Sequence, residues 1–285
     1  MCVLLAAVLW GMIGLWTRQL LAGGLTPYSI VVVRNFGGLL MMTVCFLLWR
    51  RSVFLLPRRN LKYFFGTGIV SVLLFTICYF SCQAICSLAA AAILLYTAPS
   101  MVVLLAALLW RERITRRKAV ALLLTLLGCS FVTGAFTGSM TVTLSGIALG
   151  LGAGFFYALY SIFARYALQH CDALACTYWT FVFCGLGSLF FVRPTELVQL
   201  VYFPQLAGVS IGLVVFSTVL PYLLYTRGLA RLGPARASIM ASLEPVSAAL
   251  TGIFVFREAA DIYTFLGIFC VLAGIYVLSF AKAEP

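Results

Sequence analysis

Glu244 stands ten residues beyond Pro234, inside an apolar stretch that runs on to Phe256. At about 1.5 Å per helical residue its carboxyl lies roughly 15 Å along, half the thickness of a bilayer's hydrocarbon. An acid at that depth is unfavourable by about 3 kcal/mol on insertion scales, so such groups face a cavity or a partner. Pro245 beside it deprives the Ala241 carbonyl of its helical donor and bends the helix. An acid and a free acceptor at one depth suit binding of a cationic group or exchange of a proton. The bland alternative is a protonated or hydrogen-bonded carboxyl that only ties helices together.

A second set of residues repeats part of this arrangement. Pro99 frees the Leu95 carbonyl in another apolar stretch, and Tyr96 lies one turn earlier, where its hydroxyl or ring can meet a substrate or simply pack. Arg34 is about 9 Å deep in a third stretch, where it either snorkels outward or pairs with an acid or a substrate carboxylate. Trp10, Tyr79, Tyr157 and Tyr222 are candidates to line a central cavity. Cys78, Cys82 and Cys86 recur every fourth residue, which reads as packing rather than a soft-metal path. Gly146, Gly150 and Gly154 form a stripe that lets another helix approach closely. Glu112 and Glu258, at helix ends beside arginines, read as interfacial anchors.

The elements holding these residues follow from composition. Of 285 residues, 64% are apolar and 9% charged, against roughly a quarter charged in soluble domains. Apolar runs near 2–20, 28–49, 62–82, 87–110, 118–136, 144–168, 174–192, 206–228, 234–256 and 262–281 predict ten spans with short connectors. The first run resembles a signal peptide's apolar core but lacks basic residues before it and reads as a retained helix. Pro57, flanked by arginines, punctuates the second connector.

The net charge of +12 encodes topology rather than a nucleic-acid partner. Fifteen of nineteen Lys and Arg residues fall in alternate connectors and the tail, among them Arg50, Arg58, Arg113, Arg117, Arg231 and Lys282, whereas the other connectors hold Arg18, Arg193 and Arg257. Basic residues resist translocation, so the rich connectors and both termini are expected in the cytoplasm of a multi-pass cell-membrane protein.

The chain also repeats itself. Shifting by 146 lays Ser87–Val132 on Gly233–Leu278 without a gap, bringing Pro99 onto Pro245, Arg111-Glu112 onto Arg257-Glu258 and Gly128 onto Gly274. At a shift of 147, Trp10-Gly11 meets Tyr157-Ala158. A five-span repeat crosses the membrane an odd number of times, so its second copy must be upside down. The fold expected is an all-α integral membrane protein with ten transmembrane helices in two inverted five-helix repeats, 1–136 and 137–285. Such repeats are a plan of secondary transporters, whose sites lie at the repeat interface near mid-membrane.

Trp10-Gly11, Arg34, Tyr96-Thr97-Ala98-Pro99 leading to Glu112, and Leu243-Glu244-Pro245 leading to Glu258 together resemble the EamA family of the drug/metabolite transporter superfamily. The resemblance covers essentially the whole chain. It implies two inverted halves around a central cavity and, often, export of amino acids or other small metabolites, without fixing the substrate.

The expected partners are a small-molecule substrate and the lipid bilayer, with proton coupling and oligomeric state left open. No Gly-rich nucleotide loop, HExxH or Gly-x-Ser-x-Gly pattern occurs, and the single histidine, His170, lies in a connector. An enzyme is therefore not expected, nor a cofactor or metal. A sensor or structural subunit without transport activity is the alternative class.

Overall fold

The computed structural model describes residues 1–55, 58–134 and 143–279. Pro57, Lys282, the predicted ends of the fifth and tenth spans, and the expected division at 136/137 lie outside them. Among the described residues every regular element is helical. In chain order these are α1 (Cys2–Gly11), α2 (Ile13–Ala22), α3 (Pro27–Trp49), α4 (Leu61–Ile85), α5 (Leu88–Leu95), α6 (Ala98–Trp110), α7 (Arg116–Val132), α8 (Leu144–Ala167), α9 (Ala173–Ser188), α10 (Pro204–Leu232), α11 (Pro234–Ala241), α12 (Glu244–Phe256) and α13 (Ile262–Ser279). Short helical turns at Arg51–Phe54, Arg58–Asn60, Leu189–Phe191, Pro194–Leu197 and Gln199–Tyr202 serve the connectors.

Nine helical stretches among the described residues are long and apolar enough to cross a membrane. The fifth predicted span is α7, with 17 residues. Large apolar side chains such as Leu48, Leu108, Leu123, Phe254 and Phe269 point outward, as expected of a surface solvated by lipid rather than water. The protein is a multi-pass membrane protein.

Three spans are interrupted. α5 gives way to α6 at Tyr96-Thr97, and α11 to α12 at Ser242-Leu243, equivalent positions in the repeat. Each break precedes its proline. Pro99 and Pro245 open the second half-helix, where a missing N–H leaves nothing unsatisfied, so they start a new helix rather than kink a continuous one. The third break, between α1 and α2 at Met12, has no proline. There Ser247 and Ser217 donate hydroxyl hydrogen bonds to the Val8 and Leu9 carbonyls at 2.8 and 3.1 Å. Side-chain donors that compete for helix carbonyls loosen the ladder at that turn.

Other features also occur twice. Arg111 and Arg257, directly after α6 and α12, both adopt left-handed backbone at φ 55°. Thr115 and Asp261 then cap the next helices, accepting from the Lys118 and Thr264 amides. α4 and α10 each contain a π-helical segment, at Gly66–Leu73 and Val215–Val219. α7 and α13 lie antiparallel with their glycines against one another's backbone. A Cβ on Gly128 would fall 2.7 Å from the Gly267 carbonyl, one on Gly267 equally close to that of Gly128, and one on Gly274 would fall 2.9 Å from that of Ala121. Those contacts fix the distance at which the two helices pack.

Candidate functional site

The half-helix breaks converge on a cavity of about 700 Å³. Its wall includes Glu244 and Pro245 at the start of α12, Tyr96 at the α5–α6 break and Arg34 on α3. Trp10 from α1, Tyr79 from α4, Tyr157 from α8 and Tyr222 from α10 complete its aromatic lining. Eight of the nine residues singled out from sequence thus share one space. Pro99 does not; it is buried and outside the cavity wall.

α12 brings the carboxyl here because α1 packs against it without intervening side chains. A Cβ on Gly11 would fall 2.5 Å from Ser247 Cβ and 2.6 Å from the Glu244 carbonyl oxygen. Glycine at 11 therefore lets the backbone of α1 touch the first turn of α12. In the other half Ala158 of α8 packs with Ala98 and Val102 of α6, the corresponding contact with one methyl more. Ala98 stands where the second half has Glu244, so the carboxylate is particular to one half.

Arg34 turns inward rather than snorkelling. Its guanidinium carbon lies 5.9 Å from the Tyr222 ring centroid, and Tyr222 packs edge-on to Trp10 at 5.2 Å. Arg34 Nε and Trp10 Nε1 are both buried without a hydrogen-bond partner in the protein. Buried donors are nearly always paired, so two orphans on one cavity wall are a cradle for an acceptor such as a carboxylate. Arg34 and Glu244 influence one another electrostatically, and no ion pair joins them among the described residues. The cavity therefore presents a guanidinium and a carboxyl group with tyrosine and tryptophan faces around them.

Among the described residues the cavity wall reaches helix ends at one end of the bundle. Arg18, Leu21, Pro27, Gln83, Thr133 and Glu258 line its mouth, at helix ends joined by the connectors poor in Lys and Arg. Towards the basic-rich end it is stopped by Trp10, Tyr160, Tyr222 and Tyr225, whose rings pack within 5.2–6.0 Å. The Tyr160 hydroxyl shares a 2.7 Å hydrogen bond with Thr226, and Tyr225 one of equal length with Ser161.

Sequence reasoning missed Thr76 and Gln83 in the wall, as well as the two mouth charges, Arg18 and Glu258. Thr76 and Gln83 stand three residues before and four after Tyr79 on α4, on the same helix face, and that periodicity was the available signal. The cysteines and glycines behave as packing residues. Cys82 Sγ donates to the Gly146 carbonyl at 3.3 Å, Gly150 accommodates Leu94, and no metal-binding cluster occurs among the described residues.

Helices long and apolar enough to cross a membrane, paired interrupted helices and a cavity that holds a carboxyl and a guanidinium are features of membrane transporters. The chain belongs to the EamA-like transporter family, whose model matches residues 1–134 and again 144–280. An uncharacterised transporter of Archaeoglobus fulgidus is 30% identical over 281 residues, 96% of this chain and 94% of its own. YetK, an uncharacterised transporter of Bacillus subtilis, is 29% identical over 227 residues, covering 76% and 68%. The uncharacterised inner-membrane transporter YicL of Salmonella typhimurium is 26% identical, covering 97% and 93%. A crystal structure with 17% identity superposes at a TM-score of 0.79, covering 97% and 94% of the two chains, and shares the fold.

Proposed function

We propose that this protein moves a small zwitterionic metabolite, an amino acid or similar compound, across the cytoplasmic membrane by alternating access. Export is the direction proposed. The observation carrying this reading is the joint presence of Glu244 and Arg34 on one cavity wall among Trp10, Tyr79, Tyr96, Tyr157 and Tyr222. A carboxylate can occupy the orphaned donors of Arg34 and Trp10, an ammonium group can meet Glu244, and the aromatic faces suit the cation and any apolar side chain. A volume near 700 Å³ is that of a small-molecule site.

The two halves, on this reading, are inverted about an axis between α7 and α13, as their reciprocal glycine contacts support. Both termini are cytoplasmic, and the cavity as described faces outward. Glu244 is in addition the group placed to carry a proton if transport is proton-coupled.

The test is comparative metabolite profiling of cells with and without the protein, inside and out. Flux of the compound so identified is then measured in proteoliposomes. A compound retained by deletion cells and transported after reconstitution is the expected result. A protein that inserts normally but gives no such compound and no flux is a sensor or structural subunit instead.

A further inference from the structure

We propose that two ion pairs, Arg165–Glu112 and Arg18–Glu258, are a matched set of latches, one at each end of the transport path. The inference rests on the alternating-access reading. Glu112 follows α6 immediately after the left-handed Arg111, and bonds Arg165 in the last turn of α8. Glu258 follows α12 immediately after the left-handed Arg257, and bonds Arg18 of α2 at 2.6 Å. Each arginine also lies over the aromatic ring that ends the neighbouring half-helix. Arg165 is 4.1 Å from Trp110 and Arg18 is 4.1 Å from Phe256.

These two sets are one motif used twice. The 146-residue shift carries Trp110, Arg111 and Glu112 onto Phe256, Arg257 and Glu258, and the 147-residue shift carries Arg18 onto Arg165. Acid, cation, ring and strained backbone all recur, although the partners come from segments far apart in sequence. Interfacial anchoring of the acids alone gives no reason for the cations to recur with them. In each set the cation lies on a helix that meets the cavity and the acid lies just beyond an interrupted helix. A bond between them closes the gap between those helices at one face.

The latches differ where their surroundings differ. Glu112 is 20% exposed, and Lys118, itself 6% exposed, stands 3.7 Å away as a second cation. Glu258 is 49% exposed at the cavity mouth, and the position equivalent to Lys118 is Thr264, whose hydroxyl donates to Asp261. An exposed pair is screened and contributes little, whereas a shielded pair with a second cation is held more firmly. The firm latch sits at the shut end and the weak one at the open end. Reversing the cavity requires release of Glu112 from Arg165 and Lys118, while Arg18–Glu258 becomes the shielded pair.

Hydrogen–deuterium exchange on the full chain in lipid nanodiscs, with no ligand added, tests this. Glu112→Gln should speed exchange at residues 106–118 and 160–168 and slow it at 12–22 and 252–262, each by about fivefold or more, as expected of coupling between sites. Glu258→Gln should do the reverse, and the double exchange Glu112→Arg with Arg165→Glu should restore the wild-type pattern. Changes confined to the mutated face in both single variants would overturn the proposal, and so would a double variant that behaves like Glu112→Gln. Efflux is scored separately in proteoliposomes. Wild-type protein without flux removes the transport reading, whereas normal flux with purely local exchange effects removes only the latches.

Discussion

Glu244→Gln separates the uses open to a carboxyl group on the cavity wall, because it keeps the shape and removes the charge. Glu244 shares its wall with Arg34 and four tyrosines and is half-buried. If it carries protons, the variant loses flux driven by a pH gradient but retains substrate exchange. If it binds a substrate ammonium, both fail, with affinity reduced about tenfold or more for a lost charge-assisted bond. Unchanged affinity and flux would leave it a helix-tying group. Glu196 offers a test at the surface. Burial acts to raise its carboxyl, but donors from Ser29, the Thr26 amide and hydroxyl, and Arg193 outweigh burial and hold it at about 2. Unfolded glutamate titrates near 4.3, so the stabilisation is full above that value and is lost as pH falls from about 4 towards 2. Glu196→Gln should therefore lower stability at neutral pH by about 1–2 kcal/mol. Thermal unfolding in detergent should show the gap to wild type narrowing as pH approaches 2; a gap independent of pH would contradict the assignment.

At the scale of elements, the contact between α1 and α12 is set by a single glycine. A methyl at Gly11 has nowhere to go except into Ser247, the Glu244 carbonyl and the Ala248 amide. Gly11→Ala should destabilise the protein by about 1–3 kcal/mol, the usual range for overpacking, and reduce flux by displacing the turn that carries Glu244. Gly14→Ala, with nothing within 4 Å of its Cβ, is the matched control; equal effects of the two substitutions would exclude the packing argument. The same region shows what sequence can and cannot reveal. The breaks beside Pro99 and Pro245 were legible because proline removes a donor wherever it stands. The break at Met12 was not, because the hydroxyls that loosen it come from Ser217 and Ser247, more than two hundred residues away. The π-helical segments of α4 and α10 were hidden for a related reason. Gly68 packs against the Thr180 carbonyl of α9, and Thr218 bonds the Leu213 carbonyl five residues back, neither of which alters apolar periodicity. Arg34 was visible as a charge, but its choice of cavity over interface depends on Trp10 and Tyr222 from two other helices.

At the scale of the molecule, charge and cavity make one joint prediction. The connectors rich in Lys and Arg lie at the end of the bundle where the path is stopped by Tyr160, Tyr222 and Tyr225, and the poor connectors surround the mouth. Basic residues mark the cytoplasmic side, so the described conformation is expected to face outward with both termini inside. The repeat makes the same demand independently. After Glu112 come Arg113, Arg116, Arg117 and Lys118, whereas after Glu258 come Asp261 and no base before Lys282, as though one motif had been edited for opposite sides. Topology reporters fused after Gly24, Arg51, Arg113 and Thr143 should therefore read outside, inside, inside and outside. A membrane-impermeant thiol reagent applied to intact cells should label a cysteine introduced at Thr133, at the mouth, and should not label one introduced at Thr226, behind the aromatic stop. Agreement of the fusions without the labelling pattern would keep the topology and reject the outward orientation of the cavity. Readings on opposite sides after Gly24 and Thr143 would remove the inverted arrangement itself, since an upright second half would place Glu112 and Glu258 at the same face.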